Sequence, residues 1–99
     1  MNAQLVIEGE LTIYRAAELK ERLLDALAAT DAVLEIKLAG VKEVDTAGVQ
    51  LLMLAKREAS RSGKQLRLLS HSGPVLAAFE LLGLGSYFGD ALLVVEDGA

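Results

Sequence analysis

Apolar residues along this chain recur with two different periods, and the switches between them divide it into elements. Residues 4–13 mix β-branched and aliphatic side chains around Gly9, which predicts two short strands joined at a tight glycine turn or bulge. From 16 to 29 the period lengthens. Leu19, Leu23 and Leu27 recur every fourth residue with Ala16 and Leu24 beside them, and Arg15, Glu18, Glu21, Arg22 and Asp25 take the other side, as in an amphipathic helix. Residues 32–38 return to alternation and predict the best single strand, and 39–45, carrying Gly40, read as a loop. A second helix is expected from about 46 to 62, stopped by Gly63. Residues 65–69 alternate again as a strand, after which Ser72, Gly73 and Pro74 offer a helix start. A third helix over about 75–82 ends at Gly83, a turn follows through 85–88, and the apolar run 91–96 closes as a last strand.

The resulting order, β-β-α-β-α-β-α-β, implies an α/β fold: a small mixed sheet of about five short strands with helices packed against it. With 99 residues, 53% of them apolar, there is room for one core and one domain over 1–99. The net charge of −4 opposes a phosphate-backbone binder, and Tyr14, Phe79, Tyr87 and Phe88 are too few and scattered for a base-stacking platform, so no nucleic-acid partner is expected. Absence of cysteine removes disulfides, thiolate metal sites and a cysteine nucleophile. The start lacks the basic and apolar regions of a signal peptide, and no apolar run approaches the ~20 residues that span a bilayer. A cytoplasmic protein without direct membrane insertion is therefore expected; a peripheral place on a membrane complex, through protein contacts, stays open.

Catalytic motifs fail on spacing and context. Gly83-Leu84-Gly85 with Gly89 has its third glycine one place late for a dinucleotide fingerprint and follows a helix instead of a strand. Gly63-Lys64 lacks the upstream glycine of a phosphate-binding loop and the Ser or Thr after its lysine. Asp45 follows a strand as a phosphoacceptor would, but Glu8 and Glu10 are poorly placed to hold the Mg²⁺ that such a site needs. The single histidine, His71, lies between Ser70 and Ser72 and reads as a solvated or hydrogen-bonded surface residue. No enzyme activity, cofactor or metal is expected.

The segment Val44-Asp45-Thr46-Ala47-Gly48-Val49 is chemically unusual. Asp45 and Thr46 are both good N-cap residues for the second helix. Gly48 in its first turn costs up to about 1 kcal/mol relative to Ala. Two readings explain that glycine: tight packing of the helix on the sheet, or close approach of another molecule to the backbone. Farther along, Gly48, Leu52, Ala55 and Ala59 form the expected core stripe with Leu51 at its edge. Val49, Met53 and Lys56 lie on a separate line, continued by Arg57, which suits a helix-in-groove contact with a partner.

Over its whole length the chain resembles the STAS domains, a family named for sulfate transporters and anti-sigma factor antagonists. Residues 11–19 resemble the family's entry into its first helix, 44–52 its Asp-Ser/Thr-Ser/Thr/Ala/Gly-Gly signature loop with the following helix, and 73–84 its third helix with a Leu-Gly-Leu ending. The resemblance implies a bacterial, non-catalytic module acting by partner switching. Its unphosphorylated form would bind an anti-sigma factor that is also a serine kinase, and phosphorylation in the signature loop would release it. Here the usual acceptor position is Ala47, which has no hydroxyl, whereas Thr46 has one and is the candidate acceptor. A phosphate on Thr46 would add about −1.5 to −2 charges at a helix N-terminus, which favours anions, so the fold would tolerate it and a facing partner would not. The same resemblance implies two alternatives without a phospho-switch: a subunit on the ATPase of a lipid-transporting ABC complex, or an adaptor in a chemosensory complex. In each, Asp45, Thr46, Ala47 and Gly48 form the signature loop, and Val49, Met53, Lys56 and Arg57 the docking face.

Overall fold

A computed structural model describes residues 3–83. The turn expected at 85–88 and the strand expected at 91–96 lie outside them. Two chain segments run side by side and in parallel, each bent once. The first holds β1 (Ala3–Val6) and β2 (Gly9–Leu11); the second holds β3 (Val33–Lys37) and β4 (Val41–Val44). β1 pairs with β3 in register Leu5 to Ile36, and β3 with β5 (Gln65–Leu69) in register Ile36 to Leu68, giving a three-stranded sheet β1-β3-β5. Past the bend β2 and β4 form a two-stranded sheet in which Leu11 faces Val44, with a bulge between Gly9 and Glu10. The bend in the first segment uses Gly9, whose φ of 78° is open to glycine at little cost. All three pairings are parallel, and the single sheet expected from the sequence is divided into these two.

β4 corrects the reading of 39–45 as a loop. Its Lys42 and Glu43 are both exposed, so it shows no alternation; its strand character comes from pairing with β2, which local pattern does not record.

Helix α1 (Ala16–Ala29) buries Leu19, Leu23 and Leu27, as its period predicts. Leu24, expected beside that stripe, is exposed. α1 packs on β1 and on α2 (Thr46–Arg61), and α2 packs in turn on β5 and β2. The central strand β3 turns Leu34 and Ile36 into this layer, while its outward Glu35 accepts from Gln4 Nε2 at 3.1 Å and lies 3.8 Å from Arg67. α2 stops at Gly63, φ 71°, and Lys64 Nζ then donates to the Leu27 carbonyl at 2.6 Å, closing the C-terminal end of α1.

Helix α3 (Gly73–Leu82) packs on β4. It starts under Ser72, whose hydroxyl accepts from Val75 N at 3.3 Å, and it ends at Gly83 in the left-handed region. His71 overturns its surface reading. Ser70 adopts φ 58°, which turns the chain at the end of β5, and His71 points inward, 2% exposed, edge-on to Phe79 with ring centroids 5.9 Å apart.

Candidate functional site

Because β2 and β4 are parallel neighbours, their C-terminal ends emerge at the same edge. One leads into the 12–15 turn before α1, the other into Asp45 and α2. Asp45 is the N-cap of α2 in extended conformation, and its two carboxylate oxygens serve two different segments. Oδ1 accepts from Gly48 N at 2.9 Å, within its own helix. Oδ2 accepts from Ile13 N at 3.0 Å, in the neighbouring turn. The Asp45 N–H donates to the Leu11 carbonyl at 3.3 Å, which completes the staple. Donation from Ile13 first and Gly48 second holds the Asp45 carboxyl below the ordinary aspartate range, since both bonds favour the charged form.

Gly48 explains how α2 lies so close. A Cβ there would sit 2.6 Å from the Leu11 carbonyl carbon and inside contact with its oxygen. The packing reading of this glycine therefore holds, and the first turn of α2 rests on the backbone of β2.

This close seating corrects one docking residue. Val49 is 2% exposed and belongs to the core, because a helix without a Cβ at 48 sinks far enough onto the sheet to bury its neighbour too. Val49 therefore does not stand on the surface where docking was expected. Met53 is half-buried against the core, Lys56 half-buried, and Arg57 exposed. Thr46 is exposed at the first position of α2, and Ala47 is half-buried beside it. Gly48, Leu51, Leu52, Ala55 and Ala59 are all buried, as the core stripe requires.

Sequence reasoning missed Ile13 and Tyr14. Residue 13 reads as the end of a strand, yet Ile13 and Tyr14 stand in the turn, 60% and 89% exposed, beside the signature loop. The one local signal is the start of α1, where Arg15 occupies the N-cap and its side chain makes no cap bond. That helix start is held instead by Arg15 N to Thr12 O at 3.0 Å, Tyr14 N to Thr12 Oγ1 at 3.3 Å and the Asp45 bond.

The arrangement gathers an exposed hydroxyl (Thr46), exposed apolar side chains (Ile13 and Tyr14) and the carboxylates of Glu10, Glu18 and Asp45 around two joined helix starts. Among the described residues no group of three or more His, Asp or Glu side chains is placed to hold a metal ion. No helix among them is long and apolar enough to cross a membrane.

A family model described as "Mlab, STAS domain" matches residues 2–95. Seven chains of solved structures match the fold. One is a sulfate transporter family protein from Wolinella succinogenes, with TM-score 0.75 and 23% identity over 89% of this chain and 71% of that one. A search of curated proteins finds no match.

Proposed function

The chain belongs to the STAS domain family, and from that premise we propose that it is a non-catalytic, cytoplasmic interaction module of the anti-sigma factor antagonist type. It docks on a protein partner, an anti-sigma factor with serine kinase activity, through the N-terminal half of α2. The observation that carries this reading is the placement of Thr46. Its hydroxyl stands exposed at the first position of a helix whose start is fixed by the Asp45 cap and the Gly48 seat. A phosphate there meets a helix N-terminus and leaves the fold intact, so its effect falls on the partner. Met53 and Arg57 extend the contact along the helix, one supplying a half-buried apolar side chain and the other an exposed cation.

Ala47 favours a second reading. The hydroxyl is missing at the family's usual acceptor position, and a module without a phospho-switch, seated on the ATPase of an ABC complex, fits that change. Both readings are tested by mixing the purified chain with purified candidates of each class from its own host, with and without ATP. Partner switching is expected to give a complex on gel filtration that ATP dissolves, with one phosphate gained on intact mass and lost in Thr46→Ala. The subunit reading is expected to give a complex with the ATPase and no mass gain. A chain that binds neither class contradicts the proposed function.

A further inference from the structure

We propose that Arg15 and Arg22 of α1 close the open edge of the first bent segment, and so keep β1 from pairing with the β1 of a second copy of this chain. Among the described residues β1 is an edge strand, with β3 on one side and no strand on the other. Ile7 N donates to the Lys37 carbonyl at 3.1 Å and Gly9 N to the Gly40 carbonyl at 2.9 Å, so the odd residues of the segment face inward. Strand alternation turns the backbone groups of Gln4, Val6 and Glu8 the other way. Guanidinium groups meet the carbonyls on that side. Arg22 Nη2 donates to Val6 O at 3.2 Å, and Arg15 Nη1 donates to Glu8 O at 2.6 Å and to Glu10 O at 3.2 Å. Glu18 fixes the Arg15 fork, accepting from Nε at 3.3 Å and from Nη2 at 3.2 Å. The spacing of Arg15, Glu18 and Arg22 puts them on one line of α1. What reads in sequence as the solvent side of that helix is the side that reaches the sheet edge.

β1 carries no edge protection of its own. Residues 3–7, Ala-Gln-Leu-Val-Ile, hold neither a charge nor a proline, and Val6 is 46% exposed. The occupant that such an edge fits is its own copy. An antiparallel pair centred on Leu5 sets Gln4 opposite Val6 of the other copy, twice by two-fold symmetry, and opposes no like charges over 3–7. Both residues face outward, so each such pair exchanges two bonds, Gln4 N–H to Val6 O and Val6 N–H to Gln4 O. Val6 O is the acceptor that Arg22 already holds. Arg22 thus occupies the acceptor that the pairing needs and places a charge at an edge that has none of its own.

The test is sedimentation velocity of the full chain over a concentration series, with amide hydrogen exchange as the local readout. Arg22→Met keeps an unbranched apolar stem and drops the donors; the position is exposed, so this variant folds. Its self-association is expected to strengthen by about tenfold or more, the contribution of one or two freed hydrogen bonds per copy. Exchange at the Gln4 and Val6 amides is expected to slow with rising concentration in Arg22→Met and to be independent of concentration in the unmodified chain. Adding Arg15→Met is expected to extend the slowing to the Glu8 amide. Gln4→Pro in the Arg22→Met background removes an outward N–H at an edge position, where proline is tolerated, and is expected to reverse the gain in association. An Arg22→Met chain that sediments like the unmodified one would overturn the proposal, as would association that leaves the Gln4 and Val6 amides fast or that survives Gln4→Pro. An unmodified chain whose Gln4 and Val6 amides slow with concentration would overturn it too, because its edge would then be open.

Discussion

Helices α2 and α3 both begin under a polar cap in extended conformation, yet the two caps do different work. Ser72 accepts one bond, from Val75 in its own helix. Asp45 accepts one from its own helix and one from a turn 32 residues earlier in the chain. The glycines differ in the same way. A Cβ at Gly73, the first residue of α3, would meet nothing within 4 Å, whereas one at Gly48 would enter the Leu11 backbone. The start of α3 is thus a local device, and the start of α2 is a joint between two segments. The second oxygen of the Asp45 cap ties the turn before α1 to the start of α2.

The sharpest way to break this comparison is at the glycines. Gly48→Ala is expected to destabilise by about 3 kcal/mol or to prevent folding, since strand backbone cannot move aside as a side chain can. Gly73→Ala is expected to be neutral or to stabilise by up to about 1 kcal/mol. Urea unfolding of both variants checks this, and similar costs would remove the distinction. Next come the caps. Ser72→Ala is expected to cost about 1 kcal/mol, the usual value for one cap bond. Asp45→Ala is expected to cost more in the same assay, because two segments lose their acceptor.

Acid sharpens the comparison further. The Asp45 carboxyl titrates below the ordinary aspartate range in the folded chain, so its contribution is complete above the unfolded value of about 3.9 and is lost as pH falls through the folded one. The stability gap between the unmodified chain and Asp45→Asn is therefore expected to narrow below about pH 4, while the Ser72→Ala gap, which involves no titrating group, stays level. Denaturant midpoints at neutral pH and near pH 3 read both gaps. The smallest effect is expected at the exposed turn: Tyr14→Ala should shift stability by no more than about 0.5 kcal/mol.

Much of this was legible in the sequence. The spacing of Leu19, Leu23 and Leu27 set the buried face of α1, and Gly48, Leu52, Ala55 and Ala59 that of α2. Asp45 was readable as a cap and Gly48 as a packing glycine. What escaped was fixed by contacts between distant segments. β4 owes its existence to β2, Val49 is buried because the Gly48 seat draws the helix down, and His71 turns inward on the left-handed Ser70. Ile13 and Asp45 meet only because two parallel strands end together, and no local window spans residues 13 and 45.

The most direct measurement is an amide chemical-shift map of the ¹⁵N-labelled chain titrated with the purified partner. Perturbation is expected at the outer residues Thr46, Gln50, Met53 and Arg57 of α2, with Gln4, Glu35 and Arg67 on the outward side of the three-stranded sheet unmoved. Perturbation centred on those sheet residues, with the start of α2 unchanged, would contradict the docking surface described above.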